Sequence, residues 1–402
     1  MIQTKLPLAT FLSPLAIALA SCGSATTGDS TVAAQSTSSA SSPAMDVDET
    51  VGPFAISDMG TFAEPWAGAF IPGTSMLFIT EKAGTAKIVD VSTERLITVS
   101  GLPEVDYGGQ GGLGDVAFLP SQSASTMDRR TIYLSWAEAG SGDTRGAVVG
   151  RGTLVCEDAD ACRIEGLNVV WRQDPKVSGR GHYSHRIAFS PDGRHMFVAS
   201  GDRQKKTPAQ DTQNNLGSIV RLNLDGTPAA GNPLADDGVA KPDIWSYGHR
   251  NTLGLAFDDG GRLWNLEHGP AGGDELNLIE GGRNYGWPLV SGGDNYDGTP
   301  IPANSTRPDL AGPVVNWTPV IAPGDFLFYG GDMFGDWAGD AIIAGLKTKA
   351  IVRVDMNGTS AREVARYDLG ERLRDIIEGP DGAIYVLEDG ENGRLRRLTP
   401  AG

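Results

Sequence analysis

The most regular feature of the chain is a repeated order of short apolar segments and turn clusters. In each unit an apolar segment is followed by a turn rich in Gly, Pro and Asp, and then by a second and a third apolar segment. The first segments of the six units end at Phe70, Phe118, Phe189, Phe257, Phe328 and Ile377. Short segments rich in aromatic and β-branched residues between turn clusters are typical of strands. The pattern therefore predicts an all-β chain.

The later segments of each unit predict two further strands. Second strands begin at Leu77, Ile132, Met196, Leu263, Ala341 and Ile384. Third strands are predicted at 86–91, 148–155, 218–224, 275–279, 351–356 and 394–398. Units of this size match the blades of a propeller, which bury their sheet faces against one another. We therefore predict a six-bladed β-propeller of four-stranded antiparallel blades.

The repeat also places distant residues on one face of the predicted fold. In a propeller, the loops before first strands and after second strands open on the same face, around the central channel. Loops of the first kind contain Gln110, His182, Arg250, Asn251, Arg372 and Arg374, and loops of the second kind are 267–270 and 345–349. Four cations on this face recur at equivalent points of the repeat: Arg250, Lys347, Arg372 and Arg374. We expect their side chains to converge at one mouth of the channel.

The N-terminus has the pattern of an export signal. Lys5 precedes an apolar stretch, 6–19, that is short and interrupted by proline, and a sequence resembling a bacterial lipobox ends at Cys22. Residues 1–22 are therefore predicted to be a lipoprotein-type signal peptide with Cys22 lipidated; the alternative is an ordinary secretory peptide. Residues 23–50, rich in Ser, Thr and Ala, predict a flexible tether, and 51–402 the propeller domain. The predicted location is periplasmic or cell-surface, on a bacterial membrane.

Net charge and cysteine usage limit the possible partners. The formal charge of −17 argues against a nucleic acid, and it makes clustered cations notable because they require a bound anion or neighbouring carboxylates. Cys156 and Cys162 lack the spacing of a zinc site. In an oxidising compartment they are predicted to form a local disulfide that closes an acidic loop.

From Gln110 onward the chain carries a series of motifs in order. They are GQGGLGDVAF (109–118), GHYSHRIAFSPDG (181–193), IWSYGHRN (244–251), LEHGPAGGDELNLIEGGRNYGWP (266–288), NYDGTPI (295–301), AGLKTK (344–349) and RLRDIIEGPDGAIYVL (372–387). Together they resemble the soluble aldose sugar dehydrogenases that depend on pyrroloquinoline quinone (PQQ), in the glucose/sorbosone dehydrogenase family. The resemblance implies a six-bladed propeller, PQQ held over the channel by calcium, and oxidation of an aldose at C1 to the lactone with electrons passed to an external acceptor.

The resemblance also assigns residues to the two cofactors. PQQ carries three carboxylates, which calls for the guanidinium forks of Arg and the point charge of Lys. The implied cofactor-binding residues are Gln110, Arg250, Asn251, Tyr296, Gly345, Leu346, Lys347, Thr348, Lys349, Arg372, Leu373 and Arg374. One calcium would be held by the backbone carbonyls of Gly269 and Pro270, and a second, structural calcium by Glu275 and the Tyr285 region.

His182 matches the catalytic histidine of the family, a base that removes the sugar hydroxyl proton as hydride leaves C1. An exposed loop histidine is the alternative. His185 stands where relatives carry a small residue, so it either shapes the sugar site or lies on the surface. Gly114 gives GGLG in place of the usual GGLL, which predicts looser packing near Gln110.

Two other functions remain open. A calcium-dependent lactonase propeller, which is a hydrolase, would need several carboxylates at the channel mouth. In a non-catalytic binding propeller, His182 and Lys347 would be incidental. No dinucleotide-binding fingerprint opens a strand–helix unit in the sequence, which argues against a nicotinamide cofactor. The preferred prediction is PQQ- and calcium-dependent aldose oxidation.

Overall fold

The structure is a computed structural model that describes residues 49–157 and 160–402. The predicted signal peptide with Cys22, and the tether up to residue 48, lie outside the described residues and stay predictions. All the described strands belong to one unit, Met45–Gly402. Among the described residues, no helix has the length and apolar character needed to cross a bilayer.

The described residues form strands and loops without any α-helix. The first strands in chain order are β1 Glu49–Val51, β2 Phe54–Phe62, β3 Pro65–Phe70, β4 Met76–Glu81, β5 Thr85–Asp90, β6 Arg95–Ser100, β7 Leu113–Phe118, β8 Arg129–Ala139, β9 Arg145–Val155, β10 Ala161–Arg172, β11 Ser184–Phe189, β12 His195–Ser200 and β13 Ser218–Asn223. The remaining strands are β14 Ile244–Tyr247, β15 Thr252–Phe257, β16 Leu263–Glu267, β17 Ala271–Gly272, β18 Asp274–Ile279, β19 Gly293–Asp294, β20 Val315–Trp317, β21 Pro323–Phe328, β22 Ala341–Gly345, β23 Ala350–Asn357, β24 Ser360–Asp368, β25 Leu373–Glu378, β26 Ile384–Glu388 and β27 Gly393–Pro400. Short 3-10 helices in the described loops are Pro120–Gln122, Thr207–Gln210, Asn304–Thr306 and Gly335–Trp337. The predicted all-β class is confirmed.

The strand bounds follow the predicted repeat closely. Strands β3, β7, β11, β15 and β21 end at the predicted phenylalanines, and β25 ends one residue beyond the predicted Ile377. The second strands β22 and β26 are buried at every position, whereas the outer strand β24 alternates between exposed and half-buried positions. Strands covered on both faces lose the alternation of polar and apolar residues, which explains why second strands read as continuous apolar runs.

Antiparallel pairing within each unit adds a fourth strand that the repeat did not specify. Three sheets have four strands: β11-β12-β13-β14, β15-β16-β18-β20 and β21-β22-β23-β24. Two further four-stranded runs, β3 to β6 and β7 to β10, are joined by a parallel pair of their outer strands into one eight-stranded sheet. A five-stranded sheet, β1-β2-β27-β26-β25, pairs the N-terminal β2 with the C-terminal β27, and β17 and β19 form a separate two-stranded sheet. The sheet counts are therefore not six separate sheets of four.

The first strands contact one another in a closed circle. Strand β3 contacts β7, β7 contacts β11, β11 contacts β15, β15 contacts β21, β21 contacts β25, and β25 contacts β3. Their third residues are Ala67, Asp115, Arg186, Gly254, Asp325 and Asp375. The Arg186 guanidinium lies 3.3 Å from Asp115, 3.6 Å from Asp325 and 2.8 Å from Asp375, measured between nitrogen and carboxylate oxygen. We call Asp115, Arg186, Asp325 and Asp375 the inner cluster.

A disulfide joins Cys156 and Cys162, with an S–S distance of 2.06 Å. It links the residue after β9 to the second residue of β10, which are neighbouring strands in the interior of the eight-stranded sheet. The bond therefore closes a loop far along the chain from the residues predicted to bind a cofactor.

Candidate functional site

His182 is held in one orientation by two residues from other parts of the chain. It precedes β11 with a positive φ of 48°, a conformation uncommon for a residue with a side chain. Its backbone N–H donates to Gln110 Oε1 at 2.6 Å, and its Nδ1 lies 2.6 Å from Asp202 Oδ1. The side chain is buried, with 7% of the residue exposed. The alternative of an exposed loop histidine is therefore excluded.

Asp202, which the sequence analysis did not single out, organises this part of the site. Besides contacting His182, its carboxylate accepts the Trp287 indole N–H at 2.8 Å and the backbone N–H of Gln204 at 2.8 Å. Burial acts to raise the pKa of Asp202, but the hydrogen bond and charge of His182, together with the Trp287 bond, lower it overall. Asp202 lies two residues after the end of β12, in a loop of the kind where the repeat places functional residues. The same rule that selected the 267–270 segment would have found it.

Arg250 lies two residues before β15 and contacts no carboxylate through its side chain within the described part of the chain. Its Nη1 donates to the His268 carbonyl at 3.0 Å and its Nη2 to the Tyr296 hydroxyl at 3.2 Å. The guanidinium lies 5.2 Å from the Trp287 ring centre, within the range of a cation–π contact. Its Nε is buried and has no hydrogen-bond partner in the described residues. Arg250 thus keeps a free charge and an unsatisfied donor.

Arg372 and Arg374 share one carboxylate. Arg372 Nε lies 2.8 Å from Asp389 Oδ2, and Arg374 Nη2 lies 2.6 Å from Asp389 Oδ1. Arg374 is the second residue of β25, so it lies within the strand and not before it as predicted. Two cations against one anion leave a net positive charge. We call Arg372 and Arg374 the mouth arginines.

The predicted residues line three neighbouring cavities. The arginine cavity, of about 220 Å³, is lined by Gln110, Asn251, Leu346, Arg372 and Arg374, together with Trp66, His185 and His268. The histidine cavity, of about 320 Å³, is lined by His182, Asp202, Arg250, Trp287 and Tyr296, together with Gln204, Lys206, Pro270, Asn295 and Asp297. A third cavity is lined by Lys347, Gly269, Pro270 and Tyr296, and it shares His268 with the arginine cavity. The four predicted cations therefore line three neighbouring cavities that share lining residues.

Some predicted cofactor residues do not line these cavities. Leu373 is fully buried in the apolar core, and Gly345 ends β22 in a buried position. Lys349 donates its ammonium to the Gly370 carbonyl at 2.8 Å, and the Thr348 hydroxyl is buried without a partner among the described residues. Of the predicted residues 345–349, only Leu346 and Lys347 line one of these three cavities.

The predicted calcium residues lie around a separate small cleft lined by Glu267, Gly269, Pro270, Glu275 and Tyr285, among others. Asn277 Nδ2 donates to Glu267 at 3.2 Å and to Glu275 at 3.4 Å, so the two carboxylates lie close together. Burial, and then the negative charge of Glu267, raise the pKa of Glu275 to about 8. Within the described residues, no group of three or more His, Cys, Asp or Glu side chains is arranged to hold a metal.

His185 and Gly114 are explained by one another. His185 is buried, stacks on Trp66 with ring centres 4.9 Å apart, and lies 2.7 Å from Ser135 Oγ through Nδ1. The surface alternative for His185 is therefore wrong. A Cβ on Gly114 would lie 1.9 Å from His185 Cε1, so the larger residue occupies the space left by the smaller one. The predicted looser packing is not seen because His185 fills it.

Comparison with known proteins agrees with this geometry. The model of the Glucose / Sorbosone dehydrogenase family matches residues 62–397. The chain is 37% identical over 342 residues to the aldose sugar dehydrogenase YliI of Escherichia coli (strain K12), which covers 84% of this chain and 90% of that protein.

Solved structures show the same relationship. The fold is similar to that of the soluble aldose sugar dehydrogenase from Escherichia coli in its apo form, with a TM-score of 0.80, 35% identity, and coverage of 87% of this chain and 100% of that one. It is also similar to the PQQ-bound aldose sugar dehydrogenase of Streptomyces coelicolor, with a TM-score of 0.69, 25% identity, and coverage of 87% and 99%. The predicted family and enzyme class are therefore confirmed: the chain belongs to the Glucose / Sorbosone dehydrogenase family.

Proposed function

We propose that the chain oxidises aldose sugars at C1 to the lactone, with PQQ and calcium as cofactors and an external electron acceptor. The observation that carries the proposal is the pairing of His182 with Asp202 on the wall of a cavity that also contains Arg250. A proton acceptor and an arginine without a carboxylate partner in the described residues are thus found together, as oxidation by an anionic quinone requires.

His182 is suited to act as the base in its neutral form. Because an ionised carboxylate only accepts hydrogen bonds, Nδ1 carries the proton toward Asp202 and Nε2 is left with the free lone pair. Burial lowers the pKa of His182, the hydrogen bond to Asp202 opposes this, and the charge of Arg250 lowers the pKa further. The imidazole is therefore neutral near pH 7. After it accepts the sugar hydroxyl proton, the Asp202 carboxylate stabilises the imidazolium.

The residues present fit PQQ. The buried Arg250 Nε lacks a partner in the described structure, the mouth arginines share a single carboxylate, and Lys347 has no ion-pair or hydrogen-bond partner for its ammonium among the described residues. These groups would hold the PQQ carboxylates, with Gln110 and Asn251 as neutral partners. When bound, PQQ supplies the acceptor for the hydride that leaves C1. Arg250, Lys347 and the mouth arginines would hold it through its carboxylates, and Arg250 also lines the histidine cavity.

The cleft beside Arg250 fits calcium. Glu267 and Glu275 are both buried, and their mutual repulsion contributes to the raised pKa of Glu275, so a hard cation with oxygen ligands would remove an unfavourable charge interaction. Glu275 and Tyr285 would hold a structural ion, and the Gly269 and Pro270 carbonyls the ion nearest the cofactor. A calcium next to a quinone supplies Lewis-acid polarisation of its carbonyl.

The six-bladed arrangement and the cellular location are parts of the same proposal. The closed circle of six first strands supports six blades, with the eight-stranded sheet counted as two blades joined at their outer strands. The export pattern that ends at Cys22 supports a lipid-anchored protein at the periplasmic or outer side of a bacterial membrane. Aldoses and the external electron acceptor would reach it there.

The competing functions are less well supported. The lactonase reading needs several open carboxylates at the mouth, whereas Asp115, Asp325 and Asp375 converge on Arg186 inside the ring. A binding propeller gives no reason for an ionised carboxylate to orient a neutral histidine in a cavity.

The test is a titration of the calcium-loaded protein with PQQ, followed by tryptophan fluorescence, and then a dye-linked assay over a panel of aldoses with the product identified by NMR. We expect saturable quenching and formation of the lactone. Failure of the calcium-loaded protein to bind PQQ would overturn the proposal. Hydrolysis of added lactones without sugar oxidation would support the lactonase instead.

A further inference from the structure

The histidine cavity has a second wall to which the proposed function assigns no role. Lys206 reaches it from the loop after β12, and Asn295 and Asp297 reach it from the turn after β19. We propose that these three side chains form a rim that binds the hydroxyl groups of the aldose and so positions the sugar against His182. We call it the hydroxyl rim. This inference rests on the proposed function, because it assigns the substrate contacts of that same site.

The loop that carries Lys206 is fixed to the catalytic pair. Arg203, Gln204 and Lys206 have φ values of 53°, 61° and 63°, a region that residues with side chains adopt rarely. The Asp202 carboxylate accepts the backbone N–H groups of Gln204 at 2.8 Å and Lys206 at 3.2 Å. One carboxylate therefore sets both the orientation of His182 and the path of the chain to Lys206. An unusual backbone held in this way is typical of functional sites.

The turn on the opposite side of the cavity is also fixed by hydrogen bonds. It projects from the two-stranded ribbon of β17 and β19 and is closed by a hydrogen bond from Gly298 N–H to the Asn295 carbonyl at 2.9 Å. Asp297 accepts the Thr299 backbone N–H at 2.9 Å. The Lys206 ammonium donates to Asn295 Oδ1 at 2.7 Å and so joins the two loops across the cavity.

The chemistry of the rim fits a polyol. An ammonium has three donors, of which Asn295 uses one, and in the described part of the chain no carboxylate lies within 4.0 Å of the Lys206 nitrogen. The Asp297 carboxylate has acceptor capacity beyond the Thr299 contact. A donor and an acceptor side by side match vicinal hydroxyls, each of which both donates and accepts. Tyr296 lies between Asn295 and Asp297 in the sequence, is 78% exposed, and offers a ring face to the apolar side of a sugar.

The first test compares two adjacent lysines in the PQQ- and calcium-loaded protein. Lys206→Met removes the ammonium from the rim. Lys205→Met is the matched control, because the Lys205 ammonium contacts Ser178 Oγ at 3.3 Å and does not line the cavity. We expect Lys206→Met to raise KM for the best aldose about 10-fold or more, as for loss of a hydrogen bond to a charged group, while kcat and the Kd of PQQ change less than about twofold. Lys205→Met should match the wild type.

A binding measurement separates recognition from turnover. 1,5-Anhydroglucitol lacks the C1 hydroxyl and cannot be oxidised there, so calorimetry with the loaded protein reports its Kd directly. Lys206→Met should weaken this Kd by the same factor as it raises KM. Asp297→Asn keeps an acceptor for the Thr299 N–H but removes the charge, and it should weaken the Kd about threefold or more.

Deoxy sugars identify the hydroxyl concerned. For one of the 2-, 3- and 4-deoxyglucoses, the KM ratio of Lys206→Met to wild type should fall to about one, because the contact is already absent from that substrate. Equal behaviour of Lys206→Met and Lys205→Met would overturn the rim. Loss of PQQ affinity in Lys206→Met would also overturn it, since Lys206 would then serve the cofactor. A wild type that binds PQQ and oxidises no sugar would instead overturn the proposed function.

Discussion

The mouth arginines and the inner cluster both pair arginine with aspartate, but in opposite proportions. At the mouth, Arg372 and Arg374 share the single carboxylate of Asp389 and line an open cavity. Inside the ring, the single guanidinium of Arg186 is surrounded by three carboxylates. Arg374 and Asp375 are consecutive in β25, so one step along one strand separates the two arrangements.

The difference teaches which charges are available to a ligand. Arg186 is fully committed: its Nε also donates to the Leu253 carbonyl at 2.6 Å and its Nη2 to the Gly324 carbonyl at 3.0 Å. Burial raises the pKa of Asp325 well above its ordinary value, so a proton held there reduces the excess negative charge, and burial also raises the pKa of Asp115 to about 6. The inner cluster is therefore self-contained, whereas the mouth keeps an excess of positive charge. Variants should lose function at the mouth and stability inside the ring.

The largest functional effect is expected at His182. His182→Ala should lower kcat by about 100- to 10,000-fold, the range for a general base, with the Kd of PQQ and the melting temperature nearly unchanged. Steady-state kinetics and fluorescence titration of the reconstituted protein measure the two quantities. His195→Ala, in a half-buried position at the start of β12, is the control. Unchanged turnover in His182→Ala would show that His182 is not the general base.

The largest effect on stability is expected at Arg186. Arg186→Met should lower the free energy of unfolding by about 3–5 kcal/mol, because it leaves buried carboxylates without their cation. Urea unfolding measures this, and Arg129→Met is the control, since the exposed Arg129–Glu165 pair should contribute less than about 1 kcal/mol. A stable Arg186→Met protein with weakened PQQ binding would show that the inner cluster serves the ligand, contrary to the comparison.

A smaller effect on ligand affinity is expected at the mouth arginines. Arg374→Ala should weaken PQQ binding about 10- to 100-fold, because it removes charge-assisted hydrogen bonds, while Arg372 still neutralises Asp389 and stability changes little. The control is Arg362→Ala, whose ion pair with Asp355 is exposed on β24. Unchanged PQQ affinity in Arg374→Ala would show that Asp389 already satisfies both arginines.

The sequence predicted the positions of the strands better than it predicted which side chains contact one another. Short apolar runs and turn residues locate the first, second and third strands to within a few residues, and the order of strands places His182, Arg250 and the mouth arginines on one face. The fourth strands were not located, because outer strands such as β24 are only partly buried and their apolar pattern is weak. The pairing of His182 with Asp202 joins residues 20 positions apart through the fold, so no local pattern predicts it.

The inner cluster, by contrast, has a signal in the sequence. Asp115, Arg186 and Asp325 each stand three residues before the phenylalanine that ends a first strand. Aligning the repeat units on that phenylalanine therefore shows charged residues at one position of successive first strands. Because first strands adjoin around the ring, charges at that position are expected to meet.

The last expected effect distinguishes the two regions by pH. The pKa of Asp115 is about 6 in the folded protein against an ordinary 3.8, because burial outweighs the attraction of Arg186. A carboxyl that holds its proton more tightly when folded contributes stability below its unfolded pKa, and this contribution is lost as the pH rises through the folded value. Asp115→Asn keeps an acceptor for the Ile187 N–H, now 2.7 Å from Asp115 Oδ2, and cannot ionise. The free energy of unfolding of the wild type should therefore fall relative to Asp115→Asn as the pH rises from about 4 to about 6, and the difference should then be constant.

Urea unfolding at each pH measures this difference. Asp192→Asn, in an exposed turn where hydrogen bonds from Ser190 and Arg194 lower the pKa of the carboxyl below its ordinary 3.8, should show the opposite sign below about pH 4 and a constant difference from about pH 4 to about pH 6. A flat difference for Asp115 would mean that its carboxylate is ionised inside the ring across this range, and the inner cluster would then carry excess charge just as the mouth does.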